Sequence, residues 1–157
     1  MFIIGASTLG EIILEVAARA GERIEGFYDD VTKERNYCGV PVLGKYEGLI
    51  LNPDARTRGV FVAIGDNRNR HLYSQRLLAS GILLRNVIDP RAIIESSSRM
   101  GCGNLIMAGA YVGVKALIGS GNIVFPGVSI THHNEVGDFC FFSPNCSVGG
   151  YTKIGDE

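Results

Sequence analysis

Val124-Phe125-Pro126-Gly127-Val128-Ser129-Ile130-Thr131-His132-His133-Asn134-Glu135-Val136 carries a large apolar side chain at every sixth position. The register runs on unbroken through Ile94, Met100, Ile106, Val112 and Ile118 before it and Phe142, Val148 and Ile154 after it. Two positions ahead of each apolar residue stands a mostly small one, as at Ala92, Ala110, Ala116, Asn122, Cys140 and Cys146. One position behind it glycine recurs, at Gly101, Gly113, Gly119, Gly137, Gly149 and Gly155. A period of six fits neither an amphipathic helix nor the simple alternation of a half-buried strand. It fits a short strand that turns a corner every six residues: the large side chain fills a prism-shaped interior, and the small residues and glycines suit its corners. Three such strands close one coil, so this region is expected to form roughly three to four coils of a parallel β-helix.

Upstream the grammar changes. Only 8 of the 31 charged side chains follow Arg91, together with 11 of the 21 glycines. A boundary is therefore expected at Ile88-Asp89-Pro90-Arg91, where proline also disfavours helix before it, giving domains 1–90 and 91–157. In the first, Phe2-Ile3-Ile4 reads as a strand, followed after Gly5-Ala6-Ser7-Thr8 by a helix with Leu9, Ile12, Ile13, Val16, Ala17 and Ala20 on one face and Gly21 as its stop. Ile24 to Tyr28 is a second strand. Val60 to Ile64 is a continuous apolar run of the kind buried on both faces of a parallel sheet, followed by a helix from about Arg68 to Ser80 and a last strand from Leu83 to Ile88. That order predicts a small Rossmann-like, doubly wound α/β domain.

Composition excludes several function classes. The 15 basic and 16 acidic side chains nearly cancel and form no basic run, so nucleic acid is not an expected partner. No apolar stretch approaches the roughly 20 residues of a membrane span. The start has no positive region before its apolar residues, so no signal peptide is read and a cytoplasmic protein is expected. Cys38, Cys102, Cys140 and Cys146 form no Cys-x-x-Cys pair and read as reduced small residues. His132, His133 and Cys140 do not match a structural zinc spacing, and no metal is expected.

The loop Gly5-Ala6-Ser7-Thr8-Leu9-Gly10 joins the first strand to the first helix, where backbone amides and the helix dipole meet a diphosphate in nucleotide-binding folds. Ser7 stands where the dinucleotide fingerprint has its second glycine. Asp29 and Asp30 close the second strand about 20 residues after Gly10, a place from which a carboxylate reaches a ribose or a base. By itself the glycine turn reads as a structural strand-to-helix turn. With Asp29, Asp30 and the Ala63–Asn67 loop beside it, nucleotide binding is the better reading.

Across both regions the chain resembles the hexapeptide-repeat sugar acetyltransferases, in the branch of sialic-acid O-acetyltransferases and UDP-bacillosamine N-acetyltransferases. The resemblance rests on Ile4-Gly5-Ala6-Ser7 with Gly10, Gly26-Phe27-Tyr28-Asp29-Asp30, Val42-Leu43-Gly44, and Ala63-Ile64-Gly65-Asp66-Asn67 with Arg70 in the first region. In the second it rests on Val128-Ser129-Ile130-Thr131-His132, Val136-Gly137-Asp138, Ser143-Pro144, Gly150 and Ile154-Gly155-Asp156. It implies a left-handed parallel β-helix after the α/β domain, a homotrimer, acetyl-CoA as co-substrate and a nucleotide-sugar substrate in bacterial surface-glycan synthesis. Gly5, Ser7, Asp29, Asp30, Gly65 and Asn67 are then the expected nucleotide-sugar residues.

His132 falls at the family's catalytic position. An amine attacking a thioester must lose a proton, and a neutral imidazole, which as a residue type titrates near pH 6.5, suits that task. The Gly150 amide, one coil later, resembles the family's oxyanion donor. Three positions depart from the pattern. His133 replaces the Asp or Glu that orients the family's ring, Phe141 replaces a histidine that helps hold the donor, and Phe125 replaces a sugar-contacting asparagine. Glu157 closes a hexad with no capping element, so a truncated product is expected. The alternatives are a noncatalytic nucleotide-sugar-binding or assembly homologue and a sugar O-acetyltransferase. His71 and Tyr73 read as surface and packing residues of the second helix.

Overall fold

In the computed structural model, which describes residues 1–157, the run Phe2-Ile3-Ile4 forms strand β1 (Phe2–Ile4), buried along its whole length. The Val60-Phe61-Val62 run forms β5 (Val60–Val62) in the same way. Between them lie α1 (Thr8–Arg19), β2 (Gly26–Tyr28), β3 (Asn36–Tyr37), β4 (Val40–Gly44), α2 (Tyr46–Leu51) and α3 (Pro53–Arg58), and α4 (Asn67–Ala79) follows. Four parallel strands and the edge strand β3, which pairs antiparallel with β4, form one sheet in the order β3-β4-β2-β1-β5. Its central strand β1 pairs on one side with β2 and on the other with β5. Strand order therefore reverses at β1, and a doubly wound sheet opens a crevice beyond the carboxyl end of such a strand.

Leu9, Ile13, Val16 and Ala17 turn the apolar stripe of α1 into the core, while Ala20 caps its end. Two glycines set how tightly α1 follows β1. Gly5 has φ +104°, and a Cβ there would stand 2.6 Å from the Ala63 carbonyl oxygen. At Gly10 a Cβ would collide with the Gly5 carbonyl and stand 3.0 Å from the Phe27 ring. The hairpin β3–β4 and helices α2 and α3 were not legible in the sequence, and the expected strand from Leu83 to Ile88 does not form. Leu84 makes only an isolated bridge to Val60, and Val87–Ile88 pairs instead with Leu105–Ile106.

The chain divides into two compact units, Met1–Arg85 and Asn86–Glu157. The second holds twelve two-residue strands, from Val87–Ile88 to Lys153–Ile154, stacked in three parallel four-stranded sheets. Each strand pairs with the one three hexads on, as Tyr111–Val112 pairs with Ser129–Ile130, so three hexads make one coil. Ile106, Val112, Ile118, Val124, Ile130 and Val136 point into a common core. Each such buried side chain contributes about 1.5–3 kcal/mol. The apolar register starts one hexad earlier than Ile94, at Ile88. Asp89, fully buried, accepts from the backbone N–H and guanidinium of Arg91 at 3.0–3.1 Å and fixes the first corner.

The corners differ from expectation in one respect. From Met100 onward the left-handed residues lie three positions after the inward residue, at Gly103, Gly109, Lys115, Gly121, Gly127, His133, Phe139, Asn145, Tyr151 and Glu157, with φ between +56° and +73°. The glycines immediately after the inward residue serve close approach between coils instead. A Cβ on Gly113 would stand 2.6 Å from the Thr131 carbonyl carbon, and one on Gly137 would stand 2.8 Å from the Asp156 nitrogen.

Buried asparagines satisfy the polar backbone at one corner. Asn122 accepts the Cys140 N–H at its Oδ1 (2.8 Å) and donates from Nδ2 to the Gly137 carbonyl (3.1 Å). Its own N–H donates to Asn104 Oδ1, and the Asn104 N–H donates in turn to Asn86 Oδ1. No helix of the chain is long and apolar enough to cross a membrane.

Candidate functional site

Two separate places carry chemistry. In the α/β unit, the ends of β1, β2 and β5 surround a cavity of about 270 Å³ lined by Gly5, Ser7, Asp29, Asp30, Gly65 and Tyr73, among others. Ser7 occupies the N-cap position of α1, but its hydroxyl donates to the Ala63 carbonyl (3.3 Å) and does not cap the helix. The first amides of α1 therefore receive no side-chain cap, which is the condition in which a helix N-terminus receives an anion.

Asp29 and Asp30 do different work. One Asp29 oxygen accepts the Ala6 N–H (2.8 Å), and the other accepts the Val31 and Thr32 N–H groups (2.8 and 2.7 Å). Asp29 thus ties the turn after β2 to the loop after β1. Asp30 accepts the Tyr46 N–H (2.9 Å) and the Tyr73 hydroxyl (2.7 Å), and the Tyr46 and Tyr73 rings meet edge to face at 5.0 Å. The hydrogen bond to Asp30, with burial behind it, pushes the Tyr73 phenol up to about 12.

On the third side, Asp66 caps α4 through the Asn69 N–H, and Asn67 is the helix's first residue. Asn67 does not line the cavity. It accepts from the guanidinium of Arg70 (2.8 Å), which also donates to the Ile64 and Gly65 carbonyls at 3.0 and 3.1 Å. Arg70 is 1% exposed, so the loop is moulded around a buried cation whose donors it satisfies. Arg70 shares the buried face of α4 with Ser74 and Leu77, a placement that its charge hides in the sequence.

The second place is a β-helix corner. His132 is exposed there and His133 is half-buried with φ +56°. The turn is held from both neighbouring coils: the His133 N–H donates to the Val114 carbonyl (2.9 Å), and the Tyr151 N–H donates to the His132 carbonyl (3.2 Å). Within it, buried Asn134 donates to the Thr131 carbonyl and accepts the Thr152 N–H. Gly150 lies against the His132 ring, where a Cβ would stand 2.7 Å from Nε2. The Gly150 N–H donates to no acceptor within the chain, and the residue is exposed.

His132 and His133 face each other with their Nδ1 atoms 3.3 Å apart. The His133 ring stacks on Tyr151 at 4.8 Å and 19°, and Tyr151 meets His132 edge-on at 5.3 Å. Tyr151 was not singled out in the sequence, although it stands three hexads after His133 and hence at the same corner one coil on. Phe125 and Phe141 form a tilted ring pair at 5.0 Å.

Residues 1–77 match the PglD N-terminal domain family. No curated protein sequence matches the chain. Among solved structures, PerB from Caulobacter crescentus, in complex with CoA and GDP-perosamine, is 30% identical with a TM-score of 0.81 over 98% of this chain and 76% of that one. The acetyltransferase domain of PglB from Neisseria gonorrhoeae, in complex with acetyl coenzyme A, is 25% identical with a TM-score of 0.86 over 99% and 84%. WeeI from Acinetobacter baumannii shares the fold at 20% identity, with a TM-score of 0.66 over 99% and 88%. These likenesses define a class of acyl-transfer proteins in which an α/β domain precedes a left-handed parallel β-helix. Within that class, the chain belongs to the hexapeptide-repeat sugar acetyltransferase family, in its PglD-like branch.

Proposed function

We propose that this protein transfers an acetyl group from acetyl-CoA to the amino group of a nucleotide-linked amino sugar, a reaction of surface-glycan synthesis, as a cytoplasmic homotrimer. The observation that carries the reading is the His132–Gly150 corner, where an exposed imidazole lies against a residue whose N–H points to no acceptor in the chain. The likeness to PerB, which is described with CoA and GDP-perosamine, supports both substrates.

In this mechanism the neutral sugar amine attacks the thioester carbonyl carbon. A C–N bond forms while His132 Nε2 takes the proton that the nitrogen gives up. The Gly150 N–H donates to the carbonyl oxygen as negative charge gathers on it, an interaction worth about 3–4 kcal/mol in comparable acyl transfers. The C–S bond then breaks, and the thiolate of CoA leaves with the proton that His132 returns. In the α/β unit, Gly5, Ser7 and Gly65 border the nucleotide cavity. The uncapped amides of α1 receive the diphosphate, Asp30 offers a carboxylate to the ribose or base, and Asn67 and Asp29 hold the loops.

Incubating the protein with acetyl-CoA and UDP- or GDP-linked amino sugars, and following free thiol, tests this reading. Thiol release that requires an amino sugar and fails with the matching hydroxy sugar is the expected result. A second reading, a noncatalytic nucleotide-sugar-binding subunit, draws on His133 in place of a carboxylate and on the Phe125–Phe141 pair. Nucleotide-sugar binding without acetyl-CoA binding supports that reading and contradicts the first.

A further inference from the structure

We infer that His133 is a positioning residue for His132, accepting at its own Nδ1 the Nδ1–H of His132 and so keeping His132 Nε2 free of a proton. The inference rests on the assignment of His132 as the base. Two Nδ1 atoms 3.3 Å apart form a hydrogen bond only if one carries a proton and the other does not. Two bare nitrogens set their lone pairs against each other, and two protonated ones set donor against donor.

Which ring donates follows from the surroundings. Nδ1 of His132 is the atom directed at His133, so Nε2 is the atom left for substrate, and it receives a proton only when Nδ1 holds the ring's hydrogen. His133 is the better fixed partner. Its backbone is locked in the left-handed corner, its N–H is tied to Val114, and its ring is clamped against Tyr151.

An imidazole in this role differs from a carboxylate in charge. It orients the ring as a carboxylate does, but it offers no negative charge to the imidazolium that forms. The charged and titratable neighbours do not supply one. Lys115 and Tyr151 hold the same corner one coil to either side, and Glu135 is paired with Lys153 at 2.9 Å. An imidazole partner therefore orients the His132 ring through a neutral hydrogen bond, without placing a negative charge beside it.

Nitrogen-15 spectra of histidine-labelled protein test this directly, because the chain has 3 histidines and single substitutions assign them. Expected are an Nδ1–H tautomer for the ring lost in His132→Ala and an Nε2–H tautomer for the ring lost in His133→Asn. If both rings hold their proton on Nε2, the inference is overturned whether or not acetyl transfer is seen. Kinetics add a second arm. His133→Ala is expected to lower kcat by about 10- to 100-fold with KM nearly unchanged, a part of the roughly 10²–10⁴ that general base catalysis contributes.

His133→Asp, which tolerates the left-handed corner, is expected to restore kcat and to move the acid limb of kcat/KM up by about one pH unit. A purely structural role leaves that limb in place. An inactive His132→Ala beside a fully active His133→Ala overturns the positioning role alone. An active His132→Ala overturns the assignment of the base beneath it.

Discussion

Gly150 packs against the imidazole of His132, one full coil earlier in the chain, so closely that a side chain cannot stand between them. Gly150 is exposed and is not among the positive-φ glycines, so alanine is free to adopt its backbone conformation. Gly150→Ala is expected to cost less than about 1 kcal/mol in stability. It displaces the ring, and a misplacement of about 1 Å costs on the order of 100-fold in rate. Comparing melting temperature with kcat/KM separates the two effects, and a Gly150→Ala protein with full activity contradicts the geometry.

The asparagine ladder supports the corner opposite in kind: buried, polar and without a chemical task. Asn122→Ala leaves the Cys140 N–H and the Gly137 carbonyl without their partner in a dry interior. A loss of about 2–3 kcal/mol is expected, read as a lower urea midpoint. Val124→Ala, also fully buried, is expected to lower it by a similar amount through lost apolar packing.

At Lys115 the chain bears a side chain in a conformation that neighbouring corners give to glycine, as at Gly109 and Gly121. Lys115 is exposed and its backbone N–H is held by Ser97 Oγ, so the side chain contributes little to packing. Lys115→Gly is expected to stabilise the β-helix by about 0.5–1 kcal/mol, the left-handed cost removed less the entropy glycine adds to the unfolded chain. A lower melting temperature contradicts this.

Tyr73 gives the α/β unit an alkaline signature. Its phenol is raised from the usual 10 to about 12 by the bond to Asp30. Between those values the folded state holds a proton that the unfolded state has lost, so the stabilisation is complete below pH 10 and fades as pH rises towards 12. Tyr73→Phe is expected to flatten that part of the stability profile and leave its slope at pH 7–9 unchanged. Denaturant midpoints measured from pH 8 to pH 12 check it.

How much of this was legible depended on what each signal was for. The apolar hexads announced the β-helix because an interior three strands wide admits one large side chain per strand. The same logic hid its beginning: Val87 and Ile88 make an acceptable closing strand for an α/β sheet, and charge density shifts a few residues later. The hexad pattern suggests glycine at the corners, but the backbone turns left-handed two residues further on, where lysine, histidine, phenylalanine, asparagine and tyrosine are also found. Glycines after the inward residue answer to the neighbouring coil, a distance that one strand's sequence does not record.

In the candidate sites, the switch-point loops were readable from glycines and strand ends, whereas the roles inside them were not. An aspartate that ends a strand and accepts two amides from the turn after it, as Asp29 does, has the local habit of a turn former. The buried face of α4 concealed Arg70 behind its charge, and Tyr73 behind an apparent surface position. His132 stood out through a family motif, while its contacts follow from the repeat: Gly150 and Tyr151 come three hexads after His132 and His133.

The most direct measurement of the account is kcat for acetyl transfer from acetyl-CoA to a nucleotide-linked amino sugar by the unaltered protein and by His132→Ala, with folding of both verified by circular dichroism. A fall of about 100-fold or more in the variant, with nucleotide-sugar affinity unchanged, is the expected result. Equal rates in the two proteins contradict the central claim that this imidazole removes the proton.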